Sequence, residues 1–538
     1  MNILLVEPNY KNKYPPMGLM KISTFHKNRQ DSVVFYKGNM AENEFRNLSI
    51  DRVYITTLFT FYYHKTVETI KHYSKHIDPS CIYIGGIMAS LLTEQLQQDI
   101  GNCHILIGQL TDAEVLGLQD HTNIDMLPLD YSILDEIEYD YPAGDNYLSY
   151  TTRGCPNHCA FCAVPLLEPN YQFTNNIRDQ IENVNSQFGQ KRNLLLLDNN
   201  IFNLSVDQMQ KLVNDLKAVG FTKEPTFIKQ TPFEQYLTKR HNERMHPKIL
   251  SRAIDFLKGQ HQKLKNSKHG DAYKEFLDQL DTTNDKDNFL VANTEFINDI
   301  LRMHKRPLKR FIDFNQGLEA ARITPEKMEL LAQLPLNPVR IAFDHYNPAA
   351  VENYRRAIVT AYECGINHFS NYMLYNFDDR PDSLWYRLKL NIDLAKELHI
   401  SIFSFPMKYM PISKTDRSHI GPHWNKKYLQ AISAILLVTK GVVAQGENFF
   451  NRAFGTDIDE FYRILFLPRD FIIYRSFYET QGITQQWDAI YRELSKEGKD
   501  ELLNALVDTN YQSAHRLVQK LIPFYNKEYT YAQLTRKG

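Results

Sequence analysis

The sequence predicts an α/β protein: an N-terminal Rossmann-like parallel sheet, then a partial (β/α) TIM-type barrel with a helical insertion, then a helical C-terminal region. Three observations predict it. Short apolar runs alternate with amphipathic ones through about the first 125 residues. The alternation resumes near residue 147, and a strongly charged stretch interrupts it between about 222 and 306. Strand and helix patterns in alternation imply parallel strands with helices on their faces.

The first strands are read from "NILLVEP" (2–8), "SVVFYKG" (32–38), "RVYITTLF" (52–59), "CIYIGG" (81–86) and "CHILIG" (103–108). Between them, segments such as "HKTVETIKHYSKHI" (64–77) place apolar residues at helical spacing. Ligands of such sheets sit beyond the strand carboxyl ends. Here those are "EPNYKNKYPPMGL", "TLFTFYY" and "GGIMASL". Gly85 and Gly86 suit close approach of backbone to a ligand, and equally a tight strand-to-helix turn. "MLPLDYSILDEIEYDYPAGDN" (126–146) holds strand-breaking prolines and scattered acids and reads as a linker.

The second block opens at "YLSYTTRG" (147–154). Its later strands are "RNLLLLDNN" (192–200), "RFIDFNQG" (310–317), "PVRIAFDH" (338–345), "HFSNYMLYNF" (368–377) and "SIFSFPMKYMP" (401–411). Helical runs accompany them at 324–334, 351–365 and 382–399, which is the rhythm of a barrel whose chemistry gathers at the strand carboxyl ends. The stretch 222–306 reads as two or more exposed helices, either a solvated face or a phosphate or nucleic-acid contact. From about 416 the pattern is helical and aromatic. The expected domains are therefore 1–130, 145–415 and 416–538.

Of the 538 residues, 43% are hydrophobic and 23% charged, and the net charge is −1. No global pull toward nucleic acid or membrane follows from that balance, although a local basic patch is still compatible with it. No run of about 18 apolar residues suggests a membrane span. The N-terminus lacks a signal-peptide pattern, so the expected location is cytoplasmic, where thiols stay reduced and clustered cysteines mean metal or catalysis. No phosphate-binding G-x-x-x-x-G-K-[ST] loop and no convincing hydrolase triad occurs.

Cys155, Cys159 and Cys162 form C-x3-C-x2-C within "TTRGCPNHCAFCAVP" (151–165). A structural zinc site wants four ligands, and His158 is the available fourth. A cubane iron–sulfur cluster held by three cysteines keeps one iron open, and an open iron binds substrate or cofactor. Cys81, Cys103 and Cys364 are scattered and fit buried roles, which makes a second cluster improbable.

The motif, with aromatic Phe161 before its last cysteine, resembles the signature of the radical S-adenosylmethionine superfamily. "TTRGCPNHCAFC" is similar to the form found in members with an N-terminal cobalamin-binding-like domain. The resemblance implies a [4Fe–4S] cluster on the three cysteines, with the fourth iron chelating S-adenosylmethionine and Phe161 against the nucleoside. It implies reductive cleavage to a 5′-deoxyadenosyl radical that takes hydrogen from a substrate the sequence does not name, and a reducing partner such as flavodoxin or ferredoxin.

The same resemblance puts Asp198 and Asn200 near the methionine amino end. It puts Asn315, Gln316 and Arg322 at the barrel mouth, and Asp344 on the ribose. Asp378 and Asp379 fall at the start of a late helix, and Met373 on a strand that lines the pocket. Each of these is also a natural capping, strand-end or core residue. "YPPMGLMKIS" and "IYIGGIMASLLTEQ" resemble the cobalamin domain, yet its D-x-H-x-x-G motif is absent and Gln109 stands where glutamate is expected. Cobalamin-dependent methyl transfer and a domain that binds no cobalamin both stay open. The alternative outside this superfamily is a zinc-stabilised, non-catalytic protein that binds nucleic acid or a protein partner.

Overall fold

Five strands open the chain: β1 (Asn2–Glu7), β2 (Ser32–Lys37), β3 (Arg52–Thr57), β4 (Ile82–Gly86) and β5 (His104–Leu106). All pair in parallel, in the order β2-β1-β3-β4-β5. The structure, a computed structural model, describes residues 1–174, 176–266, 269–302, 305–444, 446–508 and 512–535. The strands read as near-continuous apolar runs because both sheet faces are covered. Leu4, Val6, Val53, Ile55, Ile82 and Ile84 share one core with Val67, Ile70 and Tyr73 of the helix Tyr63–Tyr73 and Leu96 of Thr93–Ile100. On the alternate side, Tyr54 meets His26 of the helix Met17–Asn28, ring nitrogen to hydroxyl at 3.0 Å.

Gly86 has φ +109, and a Cβ there would lie 2.3 Å from the carbonyl oxygen of Thr57 on β3. The glycine pair thus serves the sheet's own packing and the turn into the next helix. The linker is strapped down rather than loose. Ser23 donates to Asp130 at 2.6 Å, Phe35 N–H to Glu136 at 2.8 Å, and Tyr141 hydroxyl to the buried Glu7.

The chain falls into two compact units. The first comprises Met1–Gln316, Gln333–Leu336 and Ile412–Arg417; the second comprises Gly317–Ala332, Asn337–Pro411 and Ser418–Gly538. Within the first unit follow β6 (Tyr147–Ser149), β7 (Thr152–Arg153), β8 (Gln172–Phe173), β9 (Leu194–Leu196) and β10 (Ile312–Phe314). β6, β9 and β10 make a parallel sheet with β9 in the middle, while β7 and β8 form a short antiparallel ribbon. In the second unit β11 (Val339–Arg340), β12 (His368–Tyr375) and β13 (Ser401–Lys408) make another parallel sheet, with β12 central. All six expected barrel strands are present, as two three-stranded sheets, one per unit. Its helices start on proline at the first position (Pro325, Pro348, Pro381), where a missing N–H costs nothing.

The insertion holds more structure than its charge suggests. Helices Pro232–Lys239, Lys248–Leu264, Gly270–Thr282, Lys286–Ala292 and Thr294–Arg302 enclose their own core around Phe233, Tyr236, Leu257, Tyr273, Leu280 and Ile297. Its cations turn to acids of the same chain: Lys239 to Asp135 at 2.7 Å, Lys248 to Asp140 at 3.0 Å, Arg240 to Asp287 at 3.0 Å and Lys258 to Asp281 at 2.6 Å. The C-terminal region is helical as expected, from Lys426–Val438 onward, around the fully buried Trp487. No helix among the described residues is long and apolar enough to cross a membrane.

Candidate metal centre

The cysteines hang beyond the carboxyl end of β6, because the strand does not continue through "TTRG". After Tyr150 the backbone turns aside to pair β7 with β8. Asp198, at the end of β9, fixes that departure. Its Oδ1 accepts from the Thr151 amide and hydroxyl at 2.8 and 2.7 Å and from the Thr152 amide and hydroxyl. The carboxylate is buried, which pushes its pKa up, and its Oδ2 has no hydrogen-bond partner. Asp198 therefore acts first as the anchor of the segment that leads into the cysteines.

Gly154 follows with φ +72, its amide donating to Glu168 Oε2 at 2.7 Å. The loop from Cys155 to Cys162 is short and turned, with the Cys162 amide donating to the Cys159 carbonyl at 3.0 Å. Cys159 is exposed, while Cys155, Cys162 and Phe161 are half-buried. The six cysteines form no disulfide. Asn200 is buried and directs its amide to Cys155 Sγ at 3.6 Å, and the Val164 amide points to Cys162 Sγ at 3.5 Å. Two of the three sulfurs thus receive N–H donors, the usual means of tuning a thiolate that binds metal.

A single ion and a cluster ask different spacings of three sulfurs. Three thiolates on one tetrahedral zinc sit about 3.8 Å apart, given Zn–S bonds of about 2.3 Å. Among the described residues the only set of three His, Cys, Asp or Glu donors within 4.8 Å of one another is Asp112, Glu114 and His121, elsewhere on the surface. His158 is exposed and does not join the sulfurs in such a set. Cysteines spread over separate irons of a cluster carry no such requirement.

Asn315 lies just past β10, its amide bonded to the Leu196 carbonyl at 2.9 Å and its side chain accepting from Tyr14 hydroxyl at 2.7 Å. The first unit thus holds the cysteines with Phe161, Asp198, Asn200, Asn315 and exposed Gln316. Arg322 and Asp344 belong to the second unit. Arg322 pairs with Glu319 at 2.9 Å. Asp344 lines a cleft of about 400 Å³ with Tyr346, Asp378, Asp379 and Tyr386. Burial pushes the Asp344 carboxyl up, against the pull of Arg387.

One sequence expectation needs correction in that cleft. Neither Asp378 nor Asp379 caps the helix Pro381–Leu398, whose N-cap is Arg380. Asp379 instead accepts from the Phe377 amide at 3.0 Å and pairs with the buried Arg387 at 3.4 Å. Met373 is fully buried, a core residue of β12. Of the remaining cysteines, Cys103 is buried as expected while Cys81 and Cys364 are half-buried.

Sequence reasoning missed Arg153, Glu168 and Tyr14. The first lies inside the quoted motif, but nothing in the spacing of the other two marks them.

No protein-family model matches the chain, and no curated protein matches it. Solved structures with a similar chain course include the radical S-adenosylmethionine methyltransferase TsrM from Kitasatospora setae with cobalamin and a [4Fe–4S] cluster bound (TM-score 0.44, 14% identity, 76% of each chain). The same enzyme with tryptophan substrate and the analogue aza-SAM gives 0.45, 14% identity, and 76% and 74% of the two chains. The cobalamin-dependent S-adenosylmethionine radical enzyme OxsB with aqua-cobalamin gives 0.39, 13% identity, 72% of this chain and 51% of that one. Likeness of this degree concerns fold alone, and function is argued from the chain's own residues.

Proposed function

We propose that this chain is a radical S-adenosylmethionine enzyme. The observation that carries the reading is the C-x3-C-x2-C loop, with donors directed at the sulfurs of Cys155 and Cys162. Cys155, Cys159 and Cys162 would hold a [4Fe–4S] cluster as three of its four ligands, leaving one iron to S-adenosylmethionine. The chemistry supplied when both are bound is one-electron cleavage to a 5′-deoxyadenosyl radical that removes hydrogen from a substrate.

The protein's part is to bind, orient and exclude water. Phe161 offers an apolar face beside the last ligand, Asn200 steadies the Cys155 sulfur, and Asp198 holds the approach to the loop. Asn315, Gln316, Arg322 and Asp344 are the further candidates for S-adenosylmethionine. The electron would come from a flavodoxin- or ferredoxin-like partner. The functional division we propose is 1–130, 145–415 with its insertion, and 416–538.

A cobalamin reading is favoured by one feature. The order β2-β1-β3-β4-β5 places a switch point between β1 and β3, where sheets of this kind bind planar cofactors. The loops there carry Tyr10 and Tyr62, stacked at 4.7 Å, and Phe59, which is 46% exposed. Binding of hydroxocobalamin to the full chain, read by its visible spectrum, tests this; an unchanged spectrum removes cobalamin-dependent methyl transfer.

The main reading is tested by anaerobic reconstitution with iron and sulfide. The expected result is four irons per chain, a reduced spectrum that changes on adding S-adenosylmethionine, and release of 5′-deoxyadenosine. Stoichiometric zinc with no iron uptake would overturn it.

A further inference from the structure

We propose that Glu168 is the positioning residue of the cysteine loop and that Arg153 locks it to the segment following the N-terminal sheet, at Gln109 and Asp125, an inference that rests on the cluster reading above. Glu168 accepts from both ends of the loop's frame. Its Oε2 takes the Gly154 amide at 2.7 Å and Asn199 Nδ2 at 3.0 Å, and its Oε1 takes Arg153 Nη1 at 2.9 Å. Gly154 immediately precedes the first ligand and Glu168 lies shortly after the last. One carboxylate therefore closes the ligand-bearing segment into a ring and ties that ring to the residue beyond β9. Residue 154 has no room for a side chain, since a Cβ would lie 2.3 Å from the Asn170 carbonyl oxygen. The closure is tight on its backbone side as well.

Arg153 carries the connection outward. Its guanidinium reaches Asp125 Oδ1 at 3.2 Å, stacks over Tyr150 at 4.0 Å, and donates to Gln109 Oε1 at 2.9 and 3.1 Å with that amide turned to accept. Asp125 in turn holds Lys21 at 3.1 Å and the Tyr150 hydroxyl at 2.8 Å. Two cations, Lys21 and Arg153, thus face two carboxylates, Asp125 and Glu168. Glutamine at 109, where the resembled family has glutamate, adds an acceptor without a third negative charge. Only a planar fork of five donors can serve these partners together, which is why lysine would not replace Arg153.

The test uses the full chain and its Glu168→Gln, Glu168→Ala and Arg153→Ala variants. In metal-free protein, hydrogen exchange of the peptide spanning 153–168 is expected to rise roughly tenfold in both alanine variants, as for loss of about 1.4 kcal/mol of hydrogen bonding. Glu168→Gln keeps an acceptor for Gly154 and restores most of that protection. After reconstitution, the alanine variants should lose iron to a chelator several-fold faster than wild type. The cluster's midpoint potential should move upward in Glu168→Gln, because a negative charge is gone and Arg153 and Lys21 are left to share Asp125 alone. Far-UV circular dichroism checks folding, and if an alanine variant fails that check the isosteric Glu168→Gln carries the test. Wild-type exchange, chelator resistance and potential in every variant would overturn the positioning role while leaving the cluster reading intact. A wild-type chain that takes up no iron overturns the cluster reading and this role with it.

Discussion

At the scale of single residues, two buried charges show how placement sets behaviour. Asp198 gathers four donors on one oxygen, so Asp198→Ala leaves the Thr151 and Thr152 amides without their acceptor. The expected cost is on the order of 3 kcal/mol in denaturant unfolding, with Asp198→Asn costing less because an acceptor stays. Lys427 is the second case, buried and donating to the Leu465 and Leu467 carbonyls at 2.8 Å each. Burial lowers its pKa from 10.5 to about 7. Between those values the unfolded chain binds the extra proton, so stability rises as pH climbs from about 7 toward 10. A Lys427→Met variant should lack that rise, which is a few kcal/mol at most, in thermal scans across the same pH range.

At the scale of elements, some of the structure was legible in the sequence and some was not, for definite reasons. β1 to β5 were legible because strands covered on both faces are apolar throughout. "RNLLLLDNN" reads as a longer strand than the three residues of β9, because Asp198 and Asn200 look like its continuation until their side chains turn to the cysteine approach. "TTRG" misleads likewise, since its threonines favour a strand while Asp198 pulls them out of the ladder. The insertion's helices were legible, but not its core, since charged residues outnumber the apolar ones that share a face. Leu257 is fully buried in that core. Leu257→Ala should cost about 2–5 kcal/mol. It should open the insertion's amides to hydrogen exchange and leave iron uptake unchanged, because the insertion holds no cysteine.

At the scale of the whole molecule, the cysteine loop announced itself through spacing alone, whereas the frame around it did not. Gln109, Asp125, Arg153 and Glu168 are distant in sequence, and only the fold brings them together. The outer edge of β2 is another such meeting. It is one of the two edges of the N-terminal sheet, and two of its peptide groups are occupied by side chains: the Phe35 amide donates to Glu136, and the Val33 carbonyl accepts from Arg244 of the insertion segment. Side chains here do what a neighbouring strand would do. The consequence concerns concentrated protein rather than chemistry, because an edge with these groups occupied is a poorer template on which another copy could extend the sheet. Arg244→Ala with Glu136→Ala uncovers both groups, and sedimentation should then reveal association that grows with protein concentration well beyond that of the unmodified chain.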